Sequence, residues 1–405
     1  MTSLAEPRDP HDPTPEPRIH GTIADGFGPV RDAFADNFRT RGDVGAACTV
    51  YVRRQLVVDL WAGLADRRSG RPWTEDTAAV IFSCSKGLVA LCVCMLVERG
   101  MLAFDRPIAA WWPEFAAYGK DAITLRDVLS HRAGLAALDA DLSKADVIAW
   151  TPVIEAIEAQ RPRHQPAAGH LYHAMTQGWI VGEVIRRVTG RTPGAFLQET
   201  LVGPLGLRAW IGLPDHARSA VAWMEPPLPD EDSPMAREAA LVADASPDVR
   251  RSATMSGAFE FPAHDGWVTF NDPELQAAEI PAANGIATAR SLARLYGGCV
   301  SAIDGPPLVR PDVLADAMAV RSAGPQLSGM PDDGARWGTG FQLASPPSQP
   351  MLGPASFGHA GAGGQLAFGD VEHEVGFAYL GNQMGGFGDA RARELTAALG
   401  RVLRA

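Results

Sequence analysis

Ile81-Phe82-Ser83-Cys84-Ser85-Lys86 leads into an unbroken apolar run from Gly87 to Val97. The run is too short to span a bilayer and has no polar face, so it reads as a helix buried on all sides in a core. Ser83 stands where that helix begins. A serine there can be a plain N-cap. Lys86, three residues on, rises from the same helical face, which puts its amine within reach of the Ser83 hydroxyl. Ser-x-x-Lys is one way to activate a serine without histidine.

Chance alone supplies such a tetrapeptide about once per few hundred residues. The scarcity of lysine gives it weight: Lys86, Lys120 and Lys144 are the only lysines, and every other basic residue is arginine. A guanidinium is never deprotonated in a protein, whereas a buried amine loses its proton near neutral pH. A proton acceptor at this place therefore has to be lysine.

The 405 residues allow one large or two medium domains. A net charge of −11 without any basic run argues against nucleic acid or an anionic membrane as partner. Five cysteines, an odd number with three in or beside the apolar helix, do not suggest a disulfide framework. Residues 1–18, rich in Pro, Asp and Glu, read as a disordered tail with no apolar leader, and the cytoplasm is the expected compartment.

After the tail, Pro29 with Val30, Phe34 and Phe38 marks a short amphipathic helix. The β-forming runs Ala46–Val52 and Leu56–Trp61 read as a hairpin. Residues 100–215 read as mostly helical, with a capped helix at Thr124–Ser130 and an apolar stripe at Val181, Val184, Ile185 and Val188. Residues 225–283 show little periodicity and read as a long irregular excursion. Further on come a helix from Thr288, a strand over Gly338–Leu343, alternation at Val375, Phe377 and Tyr379, and a last helix capped by Asp389. The two ends thus predict one αβ domain (19–85 and 285–405) with an antiparallel sheet, and 86–284 a helical domain inserted between them. The fold class is α/β in the broad sense, or α+β.

A serine nucleophile with a lysine base still needs a second proton-transfer group and donors for an oxyanion. Tyr172, one of five tyrosines, precedes the helix that carries the 181–188 stripe. Taken alone it reads as an amphipathic side chain at a helix entrance. Phe357-Gly358-His359-Ala360-Gly361-Ala362-Gly363-Gly364 has the look of an edge strand kept free of bulk so that a ligand can approach the backbone, or of a glycine-rich turn with a solvated histidine.

In that order, Ser83-x-x-Lys86, Tyr172-x-Ala174 and His359-x-Gly361 resemble the three motifs of serine hydrolases of the class C β-lactamase and penicillin-binding-protein type. The likeness is greatest to family VIII carboxylesterases and related transesterases. It extends to Leu125–Leu135 and Gly203–Leu207 and runs from roughly residue 25 to the C-terminus. The resemblance implies a β-lactamase/transpeptidase-like fold, Ser83 as acylated nucleophile and Lys86 as its proton acceptor. It further implies Tyr172 as proton shuttle, an oxyanion hole from the N–H groups of Ser83 and Ala362, and substrate contact through His359, Gly361 and Ala362. No metal or other cofactor is implied. Two departures stand out: Ala174 occupies the position of the Asn of Tyr-x-Asn, and His359 that of the Lys of Lys-Thr-Gly.

The expected function is hydrolysis of small-molecule carboxylic esters through a Ser83 acyl-enzyme. Acyl transfer to an alcohol or amine, β-lactamase or D-Ala peptidase-like activity, and a non-catalytic binding protein on the same fold are the alternatives. Gly-x-Ser-x-Gly, dinucleotide and P-loop fingerprints do not occur, and the ten histidines form no ligand cluster at helical spacing.

Overall fold

The computed structural model describes residues 17–228, 234–260, 263–264, 267–303, 305–346, 348–349, 351–386 and 389–405. Apart from its last two residues, the expected tail 1–18 lies outside the described residues. In chain order the strands are β1 (His20–Ile23), β2 (Gly45–Val52), β3 (Gln55–Asp66), β4 (Arg71–Pro72), β5 (Ala79–Phe82), β6 (Ala209–Trp210) and β7 (Ala263–His264). They continue with β8 (Trp267–Val268), β9 (Gly285–Ala287), β10 (Arg336–Trp337), β11 (Gln342–Leu343), β12 (Ser356–Ala360), β13 (Leu366–Asp370) and β14 (Val375–Gly381).

The main sheet is antiparallel and runs β1-β3-β2-β14-β13-β12-β11-β10, with β4 added on β3. Arg53 and Arg54 form the tight turn between β2 and β3, with Arg53 in the left-handed region (φ 51°). Alternation decides what each face meets. On β14, Val375, Phe377 and Tyr379 join Val30, Phe34, Leu395 and Leu399 in one cluster, so the terminal helices Gly28–Thr40 and Ala390–Leu403 cover that face. Ala378 and Leu380 point the other way, onto the helix Ala289–Val300. Gly376 permits the close fit, because a Cβ there would stand 2.1 Å from the Ala293 carbonyl oxygen.

Between the sheet-forming segments lie short helices and turns, and the helix Cys84–Glu98 is packed among them. It is buried almost all round, as its unbroken apolar sequence requires. A small sheet, β5-β9-β6, feeds the chain into it. The capped helix is found at Leu125–Leu129, where Thr124 and Asp127 form a capping box. The stripe of Val181, Val184 and Ile185 is buried in the helix Thr176–Thr189, which Gly190 ends in a left-handed conformation. No helix among the described residues is long and apolar enough to cross a membrane.

Three expectations need correction. The stretch 225–283 is not irregular: its described residues include helices Pro234–Asp244, Pro247–Ala253 and Pro273–Ala277 and the β7–β8 pair. Prolines occupy the first positions of these helices, where the missing N–H costs nothing. Gly338–Leu343 is not one strand, since β10 and β11 fold back on each other through Gly338–Phe341, with Gly340 at φ 90°. Nor is the His359 strand an edge: β12 lies between β13 and β11, and β11 and β10, two residues each, are too short to show alternation in sequence.

Candidate active site

β5 ends at Phe82, which is held at φ 45°, a left-handed conformation that costs a bulky residue on the order of 1–3 kcal/mol. The bend is braced by Ser85, whose hydroxyl donates to the Phe82 carbonyl (2.5 Å) and accepts from the Gly285 N–H (2.8 Å). It delivers Ser83 to the head of the buried helix. The Ser83 hydroxyl makes no capping bond, so the plain N-cap reading fails. Instead it meets Lys86 and Tyr172.

Lys86 is 3% exposed. Its Nζ lies 3.2 Å from Ser83 Oγ and donates to the carbonyls of Ala174 (2.7 Å) and Ala282 (2.9 Å). Burial, with no carboxylate among its partners, pulls its pKa from 10.5 down to about 7. A neutral amine has two N–H donors and one lone pair. With both donors held by carbonyls, the lone pair is left facing the Ser83 O–H.

Tyr172 reaches the same oxygen from the other side, its hydroxyl 3.0 Å from Ser83 Oγ. Its backbone belongs to an irregular stretch pinned by side chains. The His173 N–H donates to His131 Nδ1 (3.2 Å), and the Leu135 N–H donates to His173 Nε2 (3.1 Å). Ser252 donates to the Tyr172 carbonyl (3.1 Å) and accepts from the Ala174 N–H (3.0 Å). The phenol ring is stacked on Trp337, with ring centres 5.0 Å apart, and His131 meets it edge-on at 4.7 Å.

His359 sits 6.2 Å from the Tyr172 ring, 3% exposed. Its Nδ1–H donates to the Ala360 carbonyl (2.7 Å), which leaves Nε2 as the bare nitrogen of the ring. That atom is buried without a partner among the described residues, as is Nε1 of Trp337. Desolvation, and then the nearby Lys86 amine, push the His359 pKa down to about 3. His131 and His173 are also held below the ordinary range, mainly by burial. The solvated-histidine reading of His359 is therefore wrong, and the imidazoles here are neutral.

The loop after β12 faces the head of the Ser83 helix. Gly361 donates to the Gln365 carbonyl, Gly363 to the Gln365 side chain, and buried Arg391 to the Gly363 carbonyl. The N–H groups of Ser83 and Ala362 have no partner among the described residues. A Cβ on Gly361 would stand 2.6 Å from the Ile81 carbonyl oxygen, so glycine is what lets the loop approach β5. Cys84 adds a direct tie, its thiol donating to the His359 carbonyl at 3.0 Å.

The structure thus brings together Ser83, Lys86, Tyr172, His359, Gly361 and Ala362. Sequence reading gave no role to Trp337, His131, Ser252 or the Ala282 carbonyl. For His131 and Trp337 a faint signal exists, a large ring beside small residues in Ser-His-Arg-Ala-Gly and Trp-Gly-Thr-Gly; Ser252 has none. Chemically, the set offers a hydroxyl with a proton acceptor on one side, a phenol on the other, and two unengaged N–H groups.

A family model described as Beta-lactamase matches residues 34–401. The esterase/beta-lactamase LipL of Mycobacterium tuberculosis is 34% identical over 379 residues, 91% of this chain and 83% of its own. A solved family VIII carboxylesterase superposes with a TM-score of 0.83 at 33% identity, covering 95% of this chain and 100% of that one. A penicillin-binding protein homolog from Caulobacter crescentus gives a TM-score of 0.82 at 35% identity over the same shares.

Proposed function

The chain belongs to the beta-lactamase family, and from that premise we propose that it is a serine carboxylesterase acting through an acyl-enzyme on Ser83. The observation that carries this reading is the convergence of Lys86 Nζ and the Tyr172 hydroxyl on one serine oxygen, at 3.2 and 3.0 Å. Neutral Lys86 takes the Ser83 proton as Oγ attacks the ester carbonyl. The N–H groups of Ser83 and Ala362 receive the developing oxyanion. Tyr172 passes a proton to the departing alkoxide, and water, activated by the same pair, then releases the acid.

The substrate is a small, neutral ester. A carboxylate beside His359 would gain no charge-assisted contact from that imidazole, because burial lowers its pKa to about 3. The five buried, unpaired cysteines support residence in the cytoplasm, and the net charge of −11 favours a small-molecule substrate over nucleic acid. The double name of the relative LipL supports β-lactam ring opening as a second reading, which uses the same acyl-enzyme.

Intact mass after brief mixing with a panel of activated esters tests the proposal. The expected result is one acyl adduct on Ser83, absent in Ser83→Ala. Turnover surviving in Ser83→Ala, or lost on adding EDTA to the wild type, would sink it.

A further inference from the structure

We infer that Ser252 is a positioning residue for the proton acceptor, acting through the backbone of Tyr172–Ala174; the inference rests on the esterase reading above. Its hydroxyl spans that segment, donating to the Tyr172 carbonyl and accepting from the Ala174 N–H (3.1 and 3.0 Å). The carbonyl of the same Ala174 takes one of the two N–H donors of Lys86, at 2.7 Å. One buried hydroxyl therefore fixes both the residue that carries the phenol and the acceptor that aims the Lys86 lone pair at Ser83.

The helix that presents Ser252, Pro247–Ala253, is itself clamped. Arg251 donates to the carbonyls of Leu138 (2.6 Å), Asp139 (3.0 Å) and Ala140 (2.8 Å), and Asp248 pairs with Arg163 at 2.6 Å. The Arg251 bonds tie it to the loop after His131, whose Leu135 N–H donates to His173 Nε2. The irregular stretch that carries Tyr172 is thus held by two side-chain bridges. The one from Ser252 comes from the stretch 225–283 and touches no reacting atom.

The same segment supplies its own control. Ser256 is equally buried and likewise spans a carbonyl and an N–H, both of Leu138 (3.2 and 3.3 Å), but bonds nothing in 172–174. Acylation of the full chain by a p-nitrophenyl ester is measured in single turnover, together with steady-state kcat, KM and the pH profile. Ser252→Ala is expected to lower the acylation rate and kcat about ten- to a hundredfold, the cost of a misaligned catalytic group, with KM little changed. The acidic limb of its kcat/KM profile is expected to move from the wild-type position, while Ser256→Ala keeps both rate and limb. Ser252→Cys, with a weaker donor and acceptor in place, should be intermediate, and it carries the test if the alanine protein does not fold. Wild-type acylation in Ser252→Ala, or an equal loss in Ser256→Ala, overturns the inference alone. A wild-type protein that forms no Ser83 adduct overturns the esterase reading and this inference with it.

Discussion

Lowering the pH is the sharpest perturbation of the proposed chemistry, because only the neutral amine of Lys86 can take the serine proton. Burial brings the Lys86 pKa to about 7, against 10.5 for a lysine in water. The neutral fraction is then about one in ten at pH 6 and about nine in ten at pH 8, so kcat/KM should rise roughly tenfold between them and level off above. The sign follows from the folded pKa being depressed: the competent form gains population as pH rises through 7. Imidazoles cannot supply this limb, since burial holds His173 at about 4 and His359 at about 3, with His131 well below its usual value. Hydrolysis of a p-nitrophenyl ester at low ester concentration from pH 5 to 9.5, with Ser83→Ala as the blank for alkaline background, measures it. A rate that goes on climbing tenfold per pH unit past pH 9 would mean an ordinary solvated lysine, and the reasoning would be refuted.

Lys86→Arg should be nearly as inactive as Lys86→Ala despite keeping a charge, because a guanidinium accepts no proton; a large residual rate by the same assay would remove Lys86 as base. Gly361→Ala pushes a methyl to 2.6 Å from the Ile81 carbonyl oxygen, and displacing the Ala362 N–H should cut kcat about a hundredfold or more while thermal melting stays cooperative; wild-type kcat would argue against that donor. Nitrocefin should be a much poorer substrate than a neutral p-nitrophenyl ester. His359→Lys should narrow the ratio of their kcat/KM values by roughly ten- to a hundredfold, the worth of a charge-assisted contact, and nitrocefin as the better wild-type substrate would return the protein to the β-lactamases.

Ser83 and Lys86 were readable because their relation is local: three residues on one helix set the geometry, and the all-apolar sequence after them announces burial. The β2–β3 hairpin, the alternation of β14 and the Asp389 cap were readable for the same reason. Tyr172 needed the resemblance, since its stretch is irregular and its place is fixed by His131, Leu135 and Ser252 from distant parts of the chain. Strands of two residues, as at β10 and β11, carry no periodicity at all, so neither the break at Gly338 nor the interior place of the His359 strand is legible in the sequence. The helices within 225–283 were hidden by their own opening prolines. Carbonyl acceptors such as those of Ala174 and Ala282 leave no trace in sequence, because every residue has one.

The central seam of the main sheet joins β2 to β14, with Val52 opposite Val375 and Ala46 opposite Gly381. During synthesis one half of that seam leaves the ribosome roughly 330 residues before the other, a wait of about 15–65 s at ordinary translation rates. Through that interval the β2–β3 hairpin has an open hydrogen-bonding edge, and its apolar face has only the helix Gly28–Thr40 to meet, since the helix Ala390–Leu403 follows β14 in the chain. A chain cut off before β14 would keep that edge of β2 open, so aggregation of such a truncated product, and no smaller enzyme, is the expected outcome.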